Sequence, residues 1–215
     1  MTRTQLEAMF RDYVQEHDPD RYDSGDVLTL MNQCLAIFQA KIQKVNPQAF
    51  VAFYTQDIVS GKQTYPCPTS MYRLFACTKL AADASRYVPL PYVDSIYAET
   101  VLGGQPSKEC YTLLGGMRYV HLYPIPSANV TAGLKFICSH QLVMSAGTDA
   151  PDIHFALHSG LPLLAKLLAL EGTGEPLNET WARLQGLYFD NIETLYSLPP
   201  EPEMLTMGGI DKTGY

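Results

Sequence analysis

A chain of 215 residues, 47% hydrophobic and only 17% charged, holds enough material for one sizeable core or two small ones, and has little charge to keep an isolated surface free of adhesive patches. Its formal net charge of -7 argues against an extended phosphate-binding face, because such a face needs Lys and Arg to neutralise phosphates; a local basic patch stays open. Fourteen tyrosines, rings with polar tips, suit either contacts that are wet at one end and dry at the other or the edges of β-strands.

Leu6, Met9, Phe10 and Tyr13 recur at helical spacing, so residues 3–16 are predicted to form an amphipathic helix after a Thr cap, ending before His17-Asp18-Pro19. A second helix starts at Asp23-Ser24, and Leu28, Met31, Leu35, Phe38, Ile42 and Val45 extend one apolar face to Asn46-Pro47. Leaving such faces in water would cost on the order of 1.5–3 kcal/mol per large side chain, so these helices must pack on each other or on a later helix. From Ala49 the pattern changes to Phe50-Val51-Ala52-Phe53-Tyr54, rich in aromatic and β-branched residues. With Asp57-Ile58-Val59 and the Gly61 turn, this reads as an opening hairpin. Tyr65-Pro66-Cys67-Pro68 leaves it in extended form, since each proline fixes its own φ and turns the preceding residue away from the α region.

Met71 to Thr78 reads as a further strand, and Arg86 to Tyr92 is too rich in proline for a central one. Residues 93–100 are predicted to make a short helical turn with Ile96 and Tyr97, and Gly103-Gly104-Gln105-Pro106 a loop. Gly115-Gly116, flanked by Cys110 to Leu114 and Met117 to Tyr123, predicts a two-residue hairpin; Leu134 to His140 supplies a return strand that would complete its sheet. Helix resumes near Asp152, read as its cap, with a seam of Ile153, Leu157, Leu161, Leu164 and Leu168 that Pro162 is expected to kink or break. A last helix from Asn178 carries Trp181, Leu184, Tyr188, Ile192 and Leu195 and ends near Leu198-Pro199-Pro200.

The fold class implied is α+β. Residues 1–48 (N-terminal helices) and 149–198 (C-terminal helices) complete a helical bundle, residues 49–148 form an inserted antiparallel β-rich domain, and residues 199–215 form an extended tail that a partner would order. Leu28, Leu35, Phe38, Leu164, Trp181 and Tyr188 are the expected helical packing residues. Tyr65, Tyr87, Tyr92, Tyr111, Tyr119 and Tyr123 are the interface candidates of the β-rich domain.

Catalytic and metal readings find little support. His154 and His158 stand four apart, a spacing that can put two imidazoles on one metal, yet no nearby acid or thiol completes a ligand set; capping, exposure or an intersubunit hydrogen bond accounts for them as well. Cys138 with His140, or Cys110 with His121, could form a nucleophilic pair, but nothing supplies an orienting third group. The glycine pairs lack the lysine and the strand–turn–helix context of a phosphate cradle. No catalytic residue, metal ligand or cofactor is therefore assigned. Five cysteines without CxxC spacing are expected to be reduced thiols, mostly in the core, in a cytosolic setting. The first residues lack an apolar signal region, and no stretch reaches membrane-spanning length, so no membrane partner is expected.

The order of features resembles the head-to-tail adaptor, or connector, proteins of tailed bacteriophages. The resemblance rests on Asp26-Val27-Leu28-Thr29-Leu30-Met31-Asn32-Gln33-Cys34, Gly61-Lys62-Gln63-Thr64-Tyr65-Pro66-Cys67-Pro68, the Gly115-Gly116 hairpin followed by Leu122-Tyr123-Pro124-Ile125-Pro126, and the Ala165-to-Ala169 helix before a last Trp181-to-Tyr196 helix. It covers roughly residues 20–198, and its motifs are structural rather than catalytic. It implies a non-enzymatic ring, commonly twelvefold, that joins the portal protein to tail, nozzle or tail-terminator proteins. Genomic DNA would pass through its lumen without sequence-specific binding. The implied location is the head–tail connector of the virion, after assembly in the host cytoplasm. The C-terminal segment, with Glu201, Met204, Leu205, Met207, Ile210 and Tyr215, would dock on the portal. An alternative from the residues themselves is a carbohydrate- or peptide-binding β module for host recognition, with Tyr87, Tyr92, Tyr111 and Tyr119 as stacking rings in one solvent-filled groove.

Overall fold

The switch from helical spacing to alternation near Ala49 marks a change of structural unit. The computed structural model describes residues 1–14, 22–100, 109–171 and 178–197. Its contacts divide the chain into a helical unit, Met1–Ala49 with Leu142–Tyr215, and a β unit, Phe50–Gln141. The protein is α+β, and its paired strands run antiparallel.

In the helical unit, helix α1 (Arg3–Val14) buries Leu6 and Phe10. The residues after Val14, where this helix was expected to end, lie outside the described set. Helix α2 (Ser24–Val45) begins at Asp23, whose carboxylate accepts the N–H groups of Gly25 and Asp26, both at 2.7 Å. That satisfies two of the donors a helix start leaves open. Val27, Met31, Leu35, Phe38 and Ile42 of α2 are buried along one stripe, and Leu28 beside it is half-buried. Gln39 is buried in the same stripe because its Oε1 accepts the Leu142 N–H at 3.1 Å, which offsets the cost of removing the amide from water.

Helix α4 (Gly160–Leu170) is buried on most of its surface and packs against α1 and α2. The expected break at Pro162 does not occur. Pro162 is the third residue of α4, where its missing N–H has no intrahelical acceptor to lose. The expected Asp152 cap is also corrected: a 3₁₀ turn, Phe155–Leu157, precedes the helix, and its cap is His154, whose Nδ1 accepts the Ala156 N–H at 3.3 Å. Gly160 permits a close approach at the start of α4, since a Cβ there would stand 2.8 Å from Tyr188 Cγ and 2.9 Å from Phe38 Cζ.

The single helix expected from Asn178 is three pieces: α5 (Asn178–Leu184), a π-helical turn (Gln185–Phe189) and α6 (Ile192–Tyr196). The wider turn is held by the Asp190 N–H donating to the Gln185 C=O at 3.0 Å and by the Asn191 amide donating to the Leu187 C=O at 2.9 Å. This turn buries Tyr188 and Phe189, with the Phe189 ring edge-on to Phe38 at 5.1 Å.

The β unit holds two sheets. The first has the order β1 (Val51–Ile58), β7 (Val130–His140), β3 (Met71–Leu80), β4 (Tyr87–Pro89); the second has β2 (Thr64–Pro66), β6 (Tyr119–Tyr123), β5 (Cys110–Leu114). A short helix, α3 (Ser95–Thr100), lies between β4 and β5 in the chain. Ile58, Tyr65, Cys77, Tyr111, Val120, Leu122, Leu134 and Phe136 form one cluster drawn from both sheets.

Three expectations about the strands are corrected. The strands around the Gly61 turn do not pair with each other: β1 pairs with β7 and β2 with β6, so the turn carries the chain from one sheet to the other. The return strand β7 does not extend the β5–β6 hairpin; Leu134, Phe136 and Cys138 are buried on it, and β1 and β3 occupy its two edges. The hairpin loop is four residues rather than two, because Leu114 pairs with Tyr119. Gly115, Gly116 and Met117 all have positive φ, so the chain has not yet re-entered the strand at Met117.

Gly160→Ala is expected to lower stability by about 1–3 kcal/mol, because Tyr188 and Phe38 must both shift. The measurement is the urea midpoint at an unchanged slope.

Candidate functional site

The residue pairs singled out for chemistry prove to be occupied structurally. His158 is buried; its Nε2–H donates to the Ile153 C=O at 3.0 Å, and its Nδ1 lies 3.0 Å from the Met1 ammonium, an arrangement that fits a neutral ring. Burial, with the neighbouring ammonium adding to it, holds the His158 pKa below the usual value. His154 caps its own turn instead of sharing a ligand with His158, and no group of three or more His, Cys, Asp or Glu is placed to hold a metal among the described residues.

Cys138 is buried with its thiol facing the Ala52 C=O at 3.7 Å, whereas the Nδ1 of His140 lies 3.3 Å from the Phe50 C=O. Nδ1 of His121 lies 2.8 Å from Thr64 Oγ1. Burial pushes the thiols of Cys34 and Cys77 up to about 12 and that of Cys67 up to about 11, far from the thiolate form a nucleophile needs. A cavity of about 620 Å³ beside β3 and β4 is lined mainly by alanine, leucine, valine and proline; its two charged side chains, Lys79 and Glu109, pair with each other.

The six candidate tyrosines of the β unit divide by burial. Tyr65 is fully buried, and its hydroxyl closes the turn before it, donating to the Lys62 C=O at 2.8 Å and accepting the Val59 N–H at 3.1 Å. Tyr123 is buried against the edge of His121, and Tyr111 is buried with Tyr92 edge-on at 5.6 Å. Tyr92 and Tyr119 are exposed. Four rings in one open groove are therefore not formed, since Tyr111 lies in the core. Among the helical packing candidates, Leu35, Phe38, Leu164 and Tyr188 are buried and Leu28 is half-buried. Trp181 is 50% exposed and touches Phe189 edge-on at 6.2 Å. The tail candidates Glu201, Met204, Leu205, Met207, Ile210 and Tyr215 lie outside the described residues.

An exposed aromatic face that the sequence reading did not single out lies on the four-stranded sheet. Along β1, Val51, Phe53, Thr55 and Asp57 are exposed, alternating with more buried neighbours. Phe53 lies opposite Ile137, and Thr55 opposite Lys135. The Lys135 ammonium sits between two rings, 4.6 Å from the centre of Phe53 and 5.1 Å from that of Tyr87. Phe53 is nevertheless 60% exposed. Tyr87 is fixed from below: its hydroxyl donates to the Ala132 C=O at 2.8 Å, and the Ala132 N–H donates to the Asp57 carboxylate at 2.7 Å. The alternation in Val51 to Thr55 was the available signal for this face. Lys135 and Tyr87 could not be added to it without knowing which strands are neighbours.

This face is exposed, aromatic and lightly charged, which suits adhesion to another macromolecule better than conversion of a bound substrate. The profile of the SU10 adaptor protein family matches residues 1–185. This chain is a member of the SU10 adaptor protein family. The match spans the whole β unit and the helical unit as far as the start of the π-helical turn. No curated protein matches the chain. Membership makes this adaptor a structural phage protein and a virion component, associated with other virion parts. Among its described residues, no helix is long and apolar enough to cross a membrane.

Stability is expected to fall as pH drops below about 6.5, because the unfolded chain then takes up a proton that folded His158 resists. Urea midpoints between neutral and mildly acidic pH should show this slope, and His158→Gln should flatten it. Alkylation at about pH 8 is expected to spare Cys34 and Cys77 in the native adaptor and to modify both in urea, read by peptide mass spectrometry.

Proposed function

We propose that this adaptor forms a homo-oligomeric ring, dodecameric in its assembled state, that joins the portal protein to tail, nozzle or tail-terminator proteins and continues the DNA channel. The observation that carries this reading is the family match across both units. The surface chemistry supports it: a low charge content and exposed Phe53, Tyr92, Ile96, Phe155 and Trp181 suit repeated protein contacts. In a ring one heterologous contact recurs around the axis, so each contact can be modest and the closed assembly still stable.

Glu201, Met204, Leu205, Met207, Ile210 and Tyr215 are proposed to engage the portal. Ordering this segment only on docking would couple its entropy cost to arrival at the right partner. The net charge of -7 also fits a lumen past which DNA slides without adhering, since carboxylates repel the phosphate backbone. Assembly would take place in the host cytoplasm before the adaptor becomes part of the connector.

Deleting residues 201–215 from the full chain is expected to abolish capture of the adaptor by purified portal, measured by co-sedimentation. Unchanged capture would remove the tail from the docking role.

A further inference from the structure

A sheet edge is a row of unpaired N–H and C=O groups, and folded proteins usually shorten it, cover it or interrupt it with proline or charge. Three of the edges in this β unit are treated in that way. β4 is three residues long and ends in Pro89; β2 is three residues long and ends in Pro66. The outer edge of β5 is occupied by residues 91–93, with the Tyr111 N–H donating to the Pro91 C=O at 3.0 Å and the Val93 N–H to the Tyr111 C=O at 2.8 Å.

The part of β3 that β4 leaves uncovered is broken by two register shifts and carries Arg73. β1 is the longest open edge: it is eight residues long, contains no proline, lysine or arginine, has its one charge, Asp57, and its one irregularity at the far end, and among the described residues has β7 as its only neighbour in the sheet. The His140 N–H donates to the Phe50 C=O at 3.1 Å, which sets the phase of the antiparallel ladder. Alternation then turns the main-chain groups of Ala52, Tyr54 and Gln56 toward β7, and those of Val51, Phe53 and Thr55 toward the open edge. The same three residues have exposed side chains. Lys135, opposite Thr55, has no carboxylate partner among the described residues.

We propose that the open edge of β1 receives the segment Glu203 to Met207 of a second copy as an added antiparallel strand. Main-chain spacing restricts the occupant to an extended polypeptide. The side chains restrict it further, to a strand whose one face carries a carboxylate followed by apolar residues at alternate positions. Glu203, Leu205 and Met207 have that order and that period. Laid antiparallel, Glu203 comes beside Thr55 within reach of the Lys135 ammonium, Leu205 beside Phe53, and Met207 beside Val51. Glu203 stands six residues beyond Ser197, where the described helical unit ends, so roughly 20 Å of extended chain is available to reach a neighbour. In this arrangement Leu205 and Met207 contact the neighbouring copy in place of the portal; Gly208-Gly209 then lets the chain leave the sheet, and Ile210 to Tyr215 remain for the portal. Each copy thus offers one edge and one strand, the head-to-tail contact that repeats around a ring. The choice of a second copy as donor rests on the ring reading; the open edge does not.

The test adds a fluorescent peptide of residues 199–209 to the full chain and follows anisotropy, with hydrogen exchange at Val51, Phe53 and Thr55. Saturable binding and slowed exchange at those three amides are expected. Lys135→Glu should weaken binding by about fivefold or more, and a peptide carrying Glu203→Lys should recover most of the loss on that variant. Leu205→Asp in the peptide should weaken binding to the unaltered chain, where no folded residue has been changed. Absence of binding to the unaltered chain, equal binding to Lys135→Glu, or no recovery with the exchanged charges would each overturn the proposal. Portal capture measured in parallel separates the outcomes: captured adaptor that ignores the peptide removes the edge contact alone, and loss of capture removes the portal reading alone.

Discussion

Strand β7 is the element on which the β unit depends. It must bury Leu134, Phe136 and Cys138 on one face while forming hydrogen bonds along both edges, to β1 on one side and β3 on the other. A strand placed in that way cannot also serve the β5–β6 hairpin. The unit therefore divides into two sheets that share one cluster, with Tyr65 and Tyr111 contributed by the smaller sheet and Ile58 and Phe136 by the larger. The consequence reaches the surface: once β7 is central, β1 is an edge, and its exposed face carries Phe53 beside Lys135.

The helical unit depends on close approach in place of strand pairing. Gly160 lets Phe38 of α2 and Tyr188 of the π-helical turn come to the same point at the start of α4. Phe189 continues that contact edge-on to Phe38, and the Lys41 ammonium lies 4.1 Å from the centre of its ring. A larger residue at position 160 would separate these elements, which is why a glycine opens a helix otherwise made of leucine, alanine, proline and lysine. The wide turn at Gln185–Phe189 belongs to the same arrangement, since it turns Tyr188 and Phe189 together into the core and leaves Leu187 outside.

In functional terms the molecule places its chemistry-bearing side chains in structural roles. Four of its five thiols are buried and Cys67 is half-buried, His158 is buried with both ring nitrogens engaged, and the ion pair of Lys79 with Glu109 closes on itself. What remains for other molecules is apolar and aromatic surface, an open main-chain edge and a C-terminal segment rich in proline and glutamate at its start. That inventory agrees with membership of a structural adaptor family.

The sequence by itself determined the kind of most elements and many of their limits, because those follow from local rules; the 3₁₀ turn at Phe155–Leu157 and the π-helical turn at Gln185–Phe189 were not among them. Asp23 before an apolar helical stripe, Asn46-Pro47 after it, alternation from Val51 and the glycine pair at 115–116 all report conformations set by neighbouring residues. The resemblance carried by residues 26–34, 61–68, the Gly115-Gly116 hairpin with residues 122–126, and the helices at 165–169 and 181–196 also indicated the adaptor family. The tertiary structure decided which strands are partners, which tyrosines reach solvent and which proline is harmless. Those depend on residues far apart in the chain: β1 meets β7 some eighty residues later, Tyr65 closes a turn inside the core, and Pro162 is tolerated because the helix begins only two residues before it. Pairing is decided by burying the most apolar surface while every central edge is satisfied, and that balance exists only when all the strands are present at once.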